Sequence, residues 1–174
     1  RKDYKTEIYN EMLNRIPEKE TSMKIKKDDY FYFSEIFSDD QYSRYFREKD
    51  GGERELLLDL NELSKGEDYF SISGISPSPD HSFIAYGDDL SGRREFNFII
   101  KEIKKKKVID KNVFNSSGNI VWDNNNKFIF YTKKDPKTLI TNKVYKHKLG
   151  DQQEKDQLIY EEQDPEFNLG ISKS

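Results

Sequence analysis

Ile75-Ser-Pro-Ser-Pro-Asp-His-Ser-Phe-Ile-Ala-Tyr86 and, further on, Ile120-Val-Trp-Asp-Asn-Asn-Asn-Lys-Phe-Ile-Phe-Tyr131 are the two stretches whose reading decides the fold. Each reads as a short apolar strand, a polar turn and a second apolar strand. The turn is Ser-Pro-Asp in one and Asp-Asn-Asn-Asn in the other, residue types that bend the backbone and cap it locally. Laid over each other without a gap, Tyr86 falls on Tyr131, Ile84 on Ile129, Phe83 on Phe128 and Ile75 on Ile120, a uniform offset of 45 residues. The segments downstream of each stretch also correspond once short gaps are allowed in the turns. Phe96-Asn-Phe-Ile-Ile-Lys101 answers Asn142-Lys-Val-Tyr-Lys-His147, and Lys107-Val-Ile-Asp110 answers Gln157-Leu-Ile-Tyr160. A fixed period of about 40–45 residues holding about four strands is the signature of a β-propeller blade. The fold class is therefore all-β, a partial β-propeller.

Composition agrees with thin sheets. The 174 residues are 33% apolar and 36% charged, a poor supply for one compact core. The apolar content is concentrated in 12 Phe and 11 Tyr, which favour pleated, half-buried strands. The net charge of −3, from 30 basic and 33 acidic residues, selects for neither nucleic acid nor an anionic membrane. There is no run of eighteen apolar residues and no signal-peptide pattern, so neither a membrane span nor a secretion address is expected. The absence of Cys excludes disulfides and thiolate zinc sites and matches a cytoplasmic location. A periplasmic scaffold is disfavoured by the missing signal, although a trimmed N-terminus would hide one.

In chain order, Asp3 to Arg15 place Tyr4, Ile8, Met12 and Leu13 at helical spacing, with Ile16 a turn further on and Pro17 as the stop. The expected division is an N-terminal helix over 1–17 and propeller blades over 28–174. One amphipathic helix ahead of strands must bury its stripe against something else in the molecule. Tyr30-Phe-Tyr-Phe33, Tyr42-Ser-Arg-Tyr-Phe-Arg47 and Glu55-Leu-Leu-Leu-Asp59 are expected as the second, third and fourth strands of a first blade that lacks its first strand. A polar crossing with weak helical character comes next, around Leu60 and Leu63. Phe70 to Asp110 is then a full blade and Asn119 to Glu161 another. After Asp164-Pro165, Phe167-Asn-Leu-Gly-Ile171 is expected as the first strand of a fourth blade. Two full blades and two partial ones cannot close a ring of roughly 4–8, and open edges favour dimerisation or swapping. The chain opens at Arg1 rather than Met, which reads as a fragment.

The charged and polar motifs carry little chemistry. Lys101-Glu-Ile-Lys-Lys-Lys-Lys107 reads as a solvated hairpin between outer strands, where Lys also discourages edge pairing. His81 and His147 are the only histidines and fall at different places in successive blades, one in a turn and one in a strand, which argues against a metal pair or a general base. Asp123-Asn-Asn125 resembles the opening of a calcium loop, but Phe128 stands where that loop needs Gly and Lys134 where it needs Glu, so an inter-strand turn is expected. Asn115-Ser-Ser117 is a formal glycosylation sequon without a secretion signal. No G-x-S-x-G elbow occurs. The nearest match, Gly170-Ile-Ser-Lys-Ser174, lacks the second Gly, and no Ser, His and Asp read as a triad. The residues themselves assign no catalytic, cofactor-binding or metal site.

Several runs, in order, resemble the N-terminal part of the oligopeptidase B (protease II) group of the prolyl oligopeptidase family of serine peptidases. They are Glu11-Met-Leu-Asn-Arg-Ile-Pro17, Leu57-Leu-Asp-Leu-Asn61, Asp68-Tyr-Phe-Ser71, Ser78-Pro-Asp80, Leu90-Ser-Gly-Arg-Arg94, Val121-Trp122, Ile129-Phe-Tyr131, Val144-Tyr-Lys-His147 and Leu158-Ile-Tyr-Glu-Glu162. Ser-Pro-Asp alone is weak. The Ser-Gly-Arg-Arg stretch and the Asp-x-Leu-Ile-Tyr-Glu-Glu ending, together, are more specific.

The resemblance implies a parent enzyme of two domains, a seven-bladed propeller over a C-terminal α/β-hydrolase domain that carries Ser, Asp and His. That enzyme would cleave oligopeptide substrates after Arg or Lys, with the propeller as size filter and lid. The leading helix would pack on the hydrolase domain. The triad and the carboxylates that bind the basic side chain would lie in the hydrolase domain, so none maps to this chain. In bacterial members, an acidic residue before a blade's first strand and an Arg of the Ser-x-Arg-Arg stretch latch the two domains; those positions match Asp68 and Arg94 here. The alternative is a free-standing propeller-type protein-binding module with no enzymatic activity, distinguished by whether a G-x-S-x-G elbow lies downstream.

Overall fold

The computed structural model describes residues 2–15 and 18–174. The expected continuation of the first helix at Ile16 and its stop at Pro17 lie outside the described residues. The chain divides between Gly66 and Glu67 into two compact units.

The first unit opens with α1, Lys2–Asn14. Its predicted stripe of Tyr4, Ile8, Met12 and Leu13 is exposed, Tyr4 at 69% and Met12 at 63%. An ion pair between Glu11 and Arg15, one turn apart, supports its last turn. A helix of 13 residues is marginal on its own in water, so covering that stripe is what would stabilise it.

Five strand segments come after it: β1 (Lys19–Thr21), β2 (Ile25–Lys27), β3 (Tyr30–Phe37), β4 (Arg44–Lys49) and β5 (Arg54–Asp59). β3 pairs with β4 and β4 with β5, all antiparallel. β1 and β2 share the other edge of β3, Lys19 opposite Phe37 and Lys27 opposite Tyr30. The register slips by one residue between them, so together they are one strand broken by a bulge. Ser22 spans the break, its N–H donating to Ser34 O and its Oγ accepting from Ser34 N–H, both at 2.9 Å. This corrects the expectation of a blade without its first strand. The strand is present but polar except for Ile25, and every residue of both segments is exposed, as suits a guarded sheet edge.

Phe33 and Phe46 stack at 5.6 Å inside this sheet, with Leu57, Leu58 and Leu60 buried. Charged groups are inside as well. Glu35, 3% exposed, accepts from Lys19 Nζ at 3.0 Å and Arg54 Nη1 at 2.8 Å. The predicted weak helix is α2, Leu60–Leu63, capped by Asp59 accepting from Asn61 and Glu62 N–H.

The second unit holds two four-stranded antiparallel meanders. One is β6 (Ser71–Pro77), β7 (Phe83–Asp89), β8 (Phe96–Glu102) and β9 (Lys107–Ser116); the other is β10 (Ile120–Trp122), β11 (Phe128–Lys134), β12 (Thr141–Lys148) and β13 (Gln157–Glu161). These are the two predicted full blades, with β9 running on past Asp110. The 45-residue echo extends to burial and backbone. Ile84 and Ile129 are 1% and 0% exposed. His81 and Asn126 share a left-handed backbone (φ 60° and 58°), as do Arg94 and Leu139 (φ 57° and 62°). Ser78 Oγ accepts from Phe83 N–H and Asp123 Oδ1 from Phe128 N–H, each at 2.9 Å, so two different side chains cap the same turn.

The two sheets meet along a seam. Phe98 of β8 meets Tyr131 of β11 edge-on at 6.5 Å, and Phe83 of β7 stacks on Trp122 of β10 at 6.2 Å. Trp122 Nε1 donates to Ser76 O at 3.1 Å. Ala85, Ile100, Val113 and Ile129 complete one apolar cluster. Gly74, in β6, marks the tightest approach: a Cβ there would stand 2.7 Å from Gly118 O.

Phe167–Ile171, expected to open a fourth blade, forms no strand. Leu169 N–H donates to Thr141 O at 2.8 Å and Thr141 N–H to Asn168 Oδ1 at 3.1 Å, so the segment satisfies its backbone at the start of β12. Among the described residues no helix is long and apolar enough to cross a membrane.

Candidate functional site

The β7–β8 turn is built around one carboxylate. Asp89 is 0% exposed and accepts from Ser91 N–H at 2.8 Å, Ser91 Oγ at 2.7 Å, Gly92 N–H at 3.0 Å and Arg94 N–H at 2.7 Å. Burial pushes its carboxyl up, but these hydrogen bonds, led by that of the Ser91 hydroxyl, outweigh burial and hold it below the ordinary carboxylate range. The turn closes through two left-handed residues, Gly92 and Arg94. A non-glycine residue in that conformation costs about 1 kcal/mol or more. Arg94 is held there from both sides, its N–H on Asp89 and its carbonyl accepting from Lys134 Nζ at 3.0 Å. Its side chain is exposed and makes no ion pair among the described residues.

The crossing that enters β6 runs beside this turn. A Cβ at Gly92 would meet the Tyr69 ring at 3.8 Å, ordinary van der Waals contact. Asp68, next to Tyr69, is exposed. Burial raises the half-buried Asp88 carboxyl above its ordinary value, and the charges of Glu67 and Asp89 add to the effect. The fold thus brings the segments of Asp68 and Arg94 to one end of the sheet, acidic residues on the crossing and basic ones on the turn, without pairing these two residues to each other.

The β11–β12 turn repeats the device. Asp135 accepts from Thr138 N–H at 2.8 Å and Lys137 N–H at 2.9 Å, which keeps its carboxyl below the ordinary range. Leu139 takes the backbone place of Arg94. Between the two turns lies a depression of about 390 Å³ whose lining includes Arg93, Glu95, Lys133, Lys134, Lys143 and Tyr145. Lys143 is paired with Glu161 at 3.3 Å. Lys133 lies 5.9 Å from the Tyr145 ring centre, and burial lowers its pKa. Such a face can hold carboxylates of an opposing surface by ion pairing and hydrogen bonding.

One polar cluster escaped the sequence reading. His147, placed there simply in a strand, is 0% exposed and contacts Asp110 and Asp156 through its two ring nitrogens. The signal was weak, because its partners are 37 and 9 residues away. His81 stands in the β6–β7 turn, apart from it. No group of three or more His, Asp or Glu among the described residues is arranged to hold a metal ion.

Comparison with known proteins agrees with this architecture. The family model described as "Prolyl oligopeptidase, N-terminal beta-propeller domain" matches residues 1–174. Protease 2 of Moraxella lacunata is 32% identical over 177 residues, covering 97% of this chain and 26% of that protein. Dipeptidyl aminopeptidase BI of Pseudoxanthomonas mexicana is 30% identical over 191 residues, covering 99% of the chain and 26% of the relative. The structure of oligopeptidase B from Leishmania major superposes with a TM-score of 0.88 at 28% identity, over 97% of this chain and 24% of that one. The chain therefore spans about a quarter of the length of the proteins it matches. On these matches and on its meander architecture, the chain belongs to the N-terminal β-propeller family of the prolyl oligopeptidases.

Proposed function

We propose that this chain forms part of the propeller of a longer serine oligopeptidase of the oligopeptidase B type, where it does no chemistry and controls access to the active site. The observation that carries the reading is the pair of 45-residue repeats folded as adjoining four-stranded sheets, in a chain that matches the propeller family along its whole length yet covers about a quarter of its relatives. The rest of the protein would supply a C-terminal α/β-hydrolase domain with Ser, Asp and His, and the substrates would be short peptides cut after Arg or Lys. Residues 28–174 would be blades of the filter, in a cytoplasmic enzyme. The exposed stripe of α1 supports the reading that residues 1–17 dock on the hydrolase domain.

Arg94 and Asp68 would serve as the latch between the two domains. The support is local: Arg94 is held at both backbone groups in an unfavourable conformation that leaves its side chain outside. Asp68 flanks the same turn and is free to face a second domain.

The test is hydrolysis of a fluorogenic Arg-Arg peptide amide by this chain and by the protein encoded by the complete reading frame. Activity in the longer protein alone, abolished by a serine-directed inhibitor, is the expected result. No activity in either would transfer the reading to a protein-binding module, and activity in this chain alone would overturn its non-catalytic role. In the longer protein, Arg94→Ala is expected to shift turnover and the open–closed balance seen by small-angle scattering; unchanged kinetics and scattering would end the latch assignment.

A further inference from the structure

The seam between the two sheets of the second unit encloses a titratable cluster whose hydrogen-bond directions can all be assigned. His147 Nε2 lies 2.9 Å from Asp110 Oδ2, on β9 of one sheet, and its Nδ1 lies 2.6 Å from Asp156 Oδ1, just ahead of β13 of the other. Asp110 also accepts from the N–H groups of Gly150 and Asn112. Asp156 Oδ2 accepts from Tyr131 OH at 2.8 Å, and the Tyr131 oxygen in turn accepts from Gln153 Nε2 at 3.1 Å. All the other partners of both carboxylates are donors, the surroundings that favour the ionised, accepting form of each.

Two ring-to-carboxylate contacts need two protons between them, and a neutral imidazole carries only one N–H. With both carboxylates held as acceptors, the second proton belongs on the ring. The closed arrangement is that of an imidazolium between two carboxylates, all three groups being nearly or fully out of water.

We propose that His147 is a proton-operated clamp between the β6–β9 and β10–β13 sheets. As the imidazolium, His147 on β12 ties Asp110 across the seam as well as Asp156 of its own sheet; on losing a proton it keeps Asp156, the shorter contact at 2.6 Å, releases Asp110 and loosens the seam. The clamp operates whatever enzyme or module surrounds it.

The groups facing the ring are Asp110 from β9, Tyr131 from β11, and Gln153 and Asp156 from the segment between β12 and β13, with the positive charge of Lys133 on β11 acting on Asp156. Burial by itself would lower the His147 pKa; the hydrogen bonds and charges of Asp110 and Asp156 outweigh it and raise the ring above its ordinary 6.5. A group raised on folding contributes fully below its unfolded value, and that contribution fades as pH rises through the folded one. Asp110 has the opposite sign. Burial would raise it, but His147, Gly150 and Asn112 hold it below its ordinary 3.8, so its contribution is present above that value and fades on acidification. The clamp is therefore tightest between pH 3.8 and 6.5.

The chain has two histidines, so its ring resonances can be titrated by NMR in the wild-type protein, with His81→Gln to assign them. The expected result is a His147 midpoint above 6.5, with both ring nitrogens protonated at about pH 6. The unfolding constant of the second unit should also rise by about tenfold per pH unit between the unfolded and folded values, and Asp156→Asn should flatten that slope. Should Asp156→Asn fail to fold, the wild-type titration decides alone. A midpoint at or below 6.5, a singly protonated ring at about pH 6, or unfolding that ignores pH above 6.5 would each overturn the clamp.

Discussion

Phe33 stacks on Phe46 within one sheet, whereas Phe98 meets Tyr131 across two. The first unit holds a single sheet, and its interior mixes a few aromatics and leucines with charged groups. Glu35 bridges Lys19 and Arg54, and Arg47, 7% exposed, holds Glu55 at 2.8 Å with its guanidinium 4.5 Å from the Tyr30 ring centre. The second unit sets one sheet against another and encloses a continuous apolar cluster. A sheet needs a partner layer to bury a face, and repeat folds gain stability from neighbour contacts as much as from the repeat itself. The same four-stranded meander is therefore held largely by packing in one unit and, to a greater degree, by ion pairs and cation–π contacts in the other.

Removing the packing should do the most damage. Phe98→Ala would empty a site that is 1% exposed at the seam and should cost the second unit about 3–5 kcal/mol in urea unfolding. Gly74→Ala comes next, at about 2–3 kcal/mol. It forces a side chain onto a left-handed residue (φ 62°) and sets a Cβ against the Gly118 carbonyl; a value under about 0.5 kcal/mol would show that the sheets have room for a methyl group at this point.

An ionic centre should yield less. Glu35→Ala leaves Lys19 and Arg54 with side chains 42% and 47% exposed, able to recover water, so the loss should be about 1–2 kcal/mol rather than the larger cost of stranding a buried charge. Burial works to raise the Glu35 carboxyl, but the hydrogen bond of Lys19 and the charge of Arg54 bring it below its ordinary 4.5. Its contribution is present above that value and fades as pH falls through the lowered one, which a pH series on wild type and variant would show. Arg94→Ala should be smallest, within about 0.5 kcal/mol of wild type in stability, because only backbone atoms of Arg94 hold the turn.

How much of this could be read from the residues depends on where the information sits. The two sheets of the second unit were legible because Phe83, Ile84 and Tyr86 recur 45 residues on as Phe128, Ile129 and Tyr131, and Ile84, Tyr86, Ile129 and Tyr131 are all buried. The broken strand of β1 and β2 was not, because an edge strand of Lys, Glu and Thr with a single exposed Ile25 buries nothing and shows no alternation. Phe167–Ile171 misled for the opposite reason: an apolar run is only a strand if a partner pairs with it, and here its backbone bonds to Thr141 instead. Of the site, Asp68 and Arg94 came from resemblance, and the fold adds that their segments adjoin. The His147 clamp was invisible, since three groups distant in sequence acquire a shared proton count only when folded.

That neighbour contact, more than sheet formation, stabilises these repeats is tested most directly by native-state amide hydrogen exchange on this chain. Protection in β7, β8, β11 and β12 close to the free energy of global unfolding, with faster exchange through β3 and β4, is the predicted result. Equal protection in the two units would contradict it and would make the ionic sheet as stable as the packed pair.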